Sequence, residues 1–256
     1  MNTTHRSPAS IVEAILWWLC LGGAPAVLFA IELFHPAGFT RAPGMWDYLS
    51  TPEPYAPEHQ AIAYFGPEWW FTLHMIQTPM VGLVCIGLWL MIKGIDVADG
   101  VAVGVFAWLS RIATFVTLIY FTALDAIGGF GLGRYILVTQ EFAAAGKLSQ
   151  EQLSGVVAIL NALWVDAWVG GVGSFTSLTA SWAVFFAALF AALALFLAKR
   201  APVVPVVTFV AVFGWQLQLT HAALHGPIAF AGLIVSAAWI WFRGGPRPGE
   251  TGISWA

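Results

Sequence analysis

The stretch Glu68–Ile92, "EWWFTLHMIQTPMVGLVCIGLWLMI", decides the fold. After Glu68 it runs 24 residues without a charged side chain. At a rise of about 1.5 Å per residue, such a run spans the roughly 30 Å hydrocarbon core of a bilayer. Two of its residues, His74 and Gln77, are costly in lipid, so they are expected to face a bundle interior.

Working outward, five further apolar segments qualify as spans, near 10–34, 100–126, 177–198, 203–223 and 227–243, beside 68–92 itself. The expected architecture is an all-α, polytopic membrane helix bundle with about six transmembrane helices, a single integral-membrane domain over 1–256. The first apolar run is too long for a signal-peptide core and contains Glu13, so it reads as a retained helix. The whole composition agrees: 59% of residues are hydrophobic and 9% are charged, against about a quarter charged in soluble domains. A net charge of −3 without a basic cluster excludes a nucleic-acid partner. Cys20 and Cys85 lie inside apolar runs and read as small buried hydrophobes, not as a disulfide.

Basic residues near helix ends set the expected orientation. With six spans and both termini cytoplasmic, Arg6, Lys93, Lys199, Arg200, Arg243 and Arg247 lie inside, and Arg41, Arg134 and Lys147 outside. The expected location is a plasma membrane, the inner membrane of a bacterium. Two long connections, 35–67 and 127–176, then form an extracytoplasmic cap. In the second, Ser149 is placed to cap a helix with Gln152 three residues on. Leu153, Val156, Val157, Leu160, Leu163 and Trp164 form one apolar stripe, which predicts an amphipathic helix. The glycine-rich "GGFGLG" has no strand before it, so it is not a phosphate loop; it reads as a flexible exit from the third helix.

On this topology the histidines gather at one face. His35 follows the first helix and His74 lies about two turns into the second. In "LTHAALHGP", Leu219–Pro227, His221 and His225 stand one helical turn apart at the expected end of the fifth helix. His59 falls in the first outer loop, and only His5 lies inside. Gln77, Gln218, Arg111 and Glu68 are expected to complete a polar pocket, with Arg111 and Gln77 as its floor. Glu32 marks another outer helix end.

Imidazoles at i and i+4 can chelate one ion, and a third from another helix completes a facial set. The expected metal ligands are His74, His221 and His225, with His35 as a further candidate. Asp125 or Glu68 would ligate the ion or orient a ring. Imidazole suits zinc, copper and iron alike. Alternatively, two of these histidines would hold haem b axially, with Gly22, Gly23, Gly128, Gly129, Gly131 and Gly133 admitting the flat macrocycle.

A histidine in the second helix with a pair before the last one resembles membrane hydrolases that hold zinc between helices, such as alkaline ceramidases and progestin/adiponectin-type receptors. Six spans and the lack of a matching serine–histidine–aspartate pattern separate this chain from them. The functional expectation is a membrane oxidoreductase acting at a metal or haem site. Its expected partners are the lipid bilayer, a small apolar or quinone-like molecule and other membrane subunits. The alternatives are a small-molecule or ion transporter, or a non-catalytic accessory subunit.

Overall fold

The computed structural model describes residues 8–36, 44–50, 66–171, 173–222 and 224–243. His5, Arg6, Arg41, His59 and Arg247 lie outside them. The described residues are all-helical, in the order α1 (Pro8–Trp18), α2 (Ala24–Glu32), α3 (Met45–Ser50), α4 (Gly66–Met91), α5 (Val101–Leu124), α6 (Phe130–Ala144), α7 (Gln150–Trp164), α8 (Phe175–Leu197), α9 (Val203–Thr208), α10 (Trp215–Leu219) and α11 (His225–Arg243). Three of the junctions are not breaks. The π-helical turns Leu19–Gly23, Asp125–Gly129 and Phe209–Gly214 carry the chain from α1 to α2, from α5 to α6 and from α9 to α10.

Among the described residues, five helical runs are long and apolar enough to cross a membrane: Ile11–Glu32, Gly66–Met91, Val101–Ala144, Phe175–Leu197 and His225–Arg243. The expected fifth span is shorter than 203–223. Val203–Leu219 has 17 residues, or about 26 Å of helix, less than the core of a bilayer. Ile15, Ile112, Phe115, Ile119, Val207 and Val235 are exposed on the outside of the bundle. A soluble surface would not tolerate that much apolar area, whereas lipid does.

The interior is built on small residues that let helices approach closely. Ala180, Ala183, Ala187, Ala188 and Ala191 are buried along α8, which packs more extensively against α5 than any other pair of elements does. Ser110 of α5 donates to the Ala187 carbonyl across that contact, at 2.9 Å. Gly87 of α4 marks a second close approach: a β-carbon there would stand 2.7 Å from Leu21 Cδ2.

The third run departs most from expectation. Val101–Ala144 runs over 44 residues, more than the roughly 20 needed to span a bilayer, with the π turn Asp125–Gly129 inside it. The "GGFGLG" segment is therefore not a flexible exit. Its glycines sit inside the helical path because other atoms press on them; a β-carbon on Gly133 would stand 3.0 Å from the Phe71 backbone nitrogen. Beyond the π turn, α6 packs on α4.

Beside the main core lies a second, smaller one made of Met45, Leu49, Trp70, Leu132, Ile136 and Leu160. It joins the two long connections: α3 comes from the first, while α6 and α7 come from the second. The Trp46 backbone N–H donates to Asn161 Oδ1 at 2.9 Å, tying α3 to α7. Helix α7 begins at the expected capping box, with Ser149 and Gln152 bonded reciprocally. Leu160 is buried and Val156 and Trp164 pack against the same core, but Leu163 is exposed.

The opposite end of the bundle is basic. Lys93 pairs with Glu13, Arg200 donates to the Gly94 carbonyl at 3.3 Å, and Trp18 packs on Trp241 and Phe242 next to Arg243.

Candidate metal centre

Three histidines from distant parts of the chain meet at the end away from the basic residues. One ring nitrogen from each of His35, His74 and His221 lies within 4.8 Å of the others. Ligands bound to one zinc ion at about 2.0–2.1 Å stand about 3.4 Å apart in a tetrahedron, so modest ring rotations close such a site. The imidazoles are mutually edge-on: His35 to His74 at 5.3 Å between centroids and His35 to His221 at 4.8 Å.

Each ring is positioned by its local structure. His35 ends the turn that leaves α2, its backbone N–H donating to the Glu32 carbonyl at 3.2 Å. The Trp69 indole fixes the preceding Phe34 carbonyl at 3.0 Å. The His35 Nδ1 lies 2.8 Å from the Pro36 carbonyl, and the His74 Nδ1 lies 2.7 Å from the Trp70 carbonyl. A carbonyl oxygen only accepts, so Nδ1 carries the proton in both rings. That fixes Nε2 as the deprotonated nitrogen, the tautomer a metal ligand requires.

Burial lowers the His221 pKa to about 4. It also holds His35 well below the usual imidazole range, and the neighbouring His221 and His74 lower it further, against a smaller opposing effect of the Pro36 carbonyl. Both are therefore neutral at pH 7, as ligation needs.

Trp70 buttresses the group. Its ring lies 4.3 Å from that of His74, and its Nε1–H donates to the carbonyls of Gly128 and Gly129 at 3.1 and 3.0 Å. The π turn thus finds a donor for carbonyls that a regular helix would pair internally. Thr78 links His74 to Asp125, donating to the His74 carbonyl at 2.9 Å and approaching Asp125 Oδ2 at 3.0 Å. A cavity of roughly 220 Å³ opens beside the three rings, lined also by Asp125, Trp164 and Gln218.

The structure separates the other expected residues. The helix carrying "LTHAALHGP" ends at Leu219, and Thr220 is extended, with φ −172° and ψ 155°. His221 therefore lies in a turn, while His225 is the first residue of α11. Gly226 makes this turn possible: a β-carbon there would stand 1.8 Å from the His221 carbonyl oxygen. Leu224 takes a left-handed φ of 74° beside it, a strained state for a branched side chain. His225 lies outside the three-histidine group, its Nδ1 2.7 Å from Gln216 Oε1.

Asp125 lines the cavity but is not one of the clustered ligands. Gln77 is fully buried, and neither of its side-chain amide atoms has a hydrogen-bond partner among the described residues. Glu68 is exposed at the start of α4 and does not line the cavity.

Arg111 is not the pocket floor. It donates to the Ile92 and Ile95 carbonyls at 3.2 Å each and lies 5.2 Å from the Trp108 ring, towards the basic end. Fourteen residues separate Arg111 from Asp125, about 21 Å along the helix. Sequence reasoning gave Trp70 no role and treated Glu32 only as a helix end.

The described residues thus form an all-helical, membrane-type bundle with a histidine cluster that could hold a metal ion. No family model, curated protein or solved structure matches the chain.

Proposed function

We propose that this protein is a membrane metalloenzyme, an oxidoreductase whose transition-metal ion is held by His35, His74 and His221. The convergence of three imidazole nitrogens within 4.8 Å beside a cavity carries the reading. Three histidine ligands leave a coordination position for a small molecule, the arrangement that catalytic metal sites use. Three donors aimed at one point suit an ion better than haem, whose axial ligands approach from two opposite faces of a ring.

The cavity has Trp70 and Trp164 in its wall, which suits a small apolar or quinone-like substrate delivered from the bilayer. By the bias of basic residues, the Lys93–Arg200 end faces the cytoplasm and the histidine end faces outward, in the inner membrane of a bacterium.

The test is native purification in detergent, metal analysis, and spectroscopy before and after addition of a quinol analogue under anaerobic conditions. We expect one transition-metal ion per chain, its loss in His74→Ala, and a change in oxidation state with the quinol. Protein that carries no transition metal and acquires none on incubation with zinc, copper or iron would reject the metal reading. Metal that never changes oxidation state would reject the redox assignment.

A further inference from the structure

Glu32 and Asp125 are both essentially inaccessible, at 0% and 1% exposure. Neither Glu32 oxygen has a hydrogen-bond partner among the described residues, and Asp125 Oδ2 lies 3.0 Å from the Thr78 hydroxyl oxygen. No cationic side chain among the described residues forms an ion pair with either carboxyl; Lys93 pairs with Glu13, Arg134 with Glu141 and Arg200 with Asp99.

A buried carboxylate without donors or a counter-ion is among the most expensive groups in a protein. Glu32 is also adjacent to the histidine cluster. Its backbone carbonyl holds the His35 N–H. The space of a β-carbon on Gly226 is bounded by Glu32 Cβ at 3.2 Å and by the His221 carbonyl at 1.8 Å. Asp125 lines the same cavity as the three imidazoles.

Building on the metal reading above, we infer that Glu32 is the anionic member of the centre and that, with Asp125, it selects a divalent cation of the iron-to-zinc series. Three neutral imidazoles contribute no charge. A divalent ion balances two carboxylates, whereas a monovalent ion such as Cu(I) leaves one negative charge buried in low dielectric. Carboxylate oxygen also prefers the harder divalent ions, and Cu(I) prefers soft thiolate or thioether donors. Glu32 is not one of the clustered donor atoms, so its charge acts on the ion through space.

The test uses the full-length protein in detergent with Co(II) as the divalent probe and Ag(I) as the monovalent one. In Glu32→Gln, which keeps the shape and removes the charge, Co(II) affinity is expected to fall about 10–100-fold, the scale seen for groups supporting a metal site. Ag(I) affinity should fall less, by about 3–10-fold, because the same charge attracts a monovalent ion half as strongly, and this retained binding shows that the site is intact. Glu32→Asp, which retains the charge, should recover most of the Co(II) binding.

Co(II) affinity unchanged in Glu32→Gln would overturn the assignment, as would equal losses for both ions or a Glu32→Asp variant as weak as Glu32→Gln. Loss of Co(II) in His74→Ala with no effect of Glu32→Gln would refute this inference and leave the three-histidine site standing. Wild-type protein that binds neither ion would refute both.

Discussion

Gly129 lies against the ring of His74 so closely that a β-carbon on the glycine would stand 2.5 Å from Cδ2 of the imidazole. The neighbouring atoms cannot yield freely, because Trp70 packs on the same ring and bonds the Gly129 carbonyl. Gly129→Ala should therefore push His74 out of register with His35 and His221. The expected outcome is at least about a tenfold loss in metal affinity, with a stability cost in the usual overpacking range of about 1–3 kcal/mol. Calorimetric metal titration beside thermal unfolding measures both. Unchanged affinity would mean that His74 is not positioned by this contact.

The clustered histidines and His225 should behave differently. Replacing any one of His35, His74 or His221 with alanine is expected to abolish or strongly weaken metal binding, and a second replacement should add little, because ligands of one site act together. His225→Ala removes one hydrogen bond to Gln216, so it should cost about 0.5–1.5 kcal/mol and leave bound metal unchanged. Metal analysis of the four single variants decides the ligand set; loss of metal in His225→Ala would contradict it.

Arg111 belongs to the other end of the molecule. Its guanidinium holds two carbonyls where α4 ends, and hydrogen bonds to charged groups contribute about 1.5–3 kcal/mol. Arg111→Met should lower thermal stability by an amount of that order while leaving metal loading intact. A variant that loses metal without losing stability would tie Arg111 to the site after all.

Acid should loosen the metal-free protein. His35 and His221 are held neutral in the fold, with pKa values below the ordinary imidazole value of about 6.5. Below that value the unfolded chain binds protons that the folded protein refuses, so stability falls as pH drops. For His221 the loss runs from about pH 6.5 down to about 4, its folded pKa, at about 1.4 kcal/mol per pH unit for each such histidine. Unfolding midpoints across this window should decline less steeply in His221→Leu. An identical slope in that variant would show that His221 does not titrate with unfolding.

Orientation has its own test. A reporter fused after Arg247 should read as cytoplasmic, and one inserted at Lys147 as extracytoplasmic. If both report the same side, the histidine cluster does not face outward.

The long apolar runs were legible because hydrophobicity over 20 residues is a large, summed signal. Placing His35, His74 and His221 at one end followed from helix order alone. The paired spacing of His221 and His225 misled because periodicity holds only while a helix continues, and here Thr220 ends it. Arg111 misled for a related reason: it shares a helix with Asp125, but sharing a helix does not mean sharing a depth. The glycines after Asp125 look like helix breakers in one dimension. Their role as contact surfaces for His74 and Phe71 depends on which atoms lie opposite, which no local pattern contains. The π turns are equally silent, since each differs from an ordinary turn by a single residue.

Those turns act as phase shifters. Each α-helical residue advances the azimuth by about 100°, so one extra residue held in a widened turn rotates everything beyond it by that angle. At Asp125–Gly129 the shift decides which side of α6 meets α4 and which glycine meets His74. Deleting one residue there would leave an apolar helix of nearly the same length and composition. It would nonetheless turn a different stripe of α6 towards the imidazoles, much as a key cut to the right length but rotated in its lock no longer lines up with the pins.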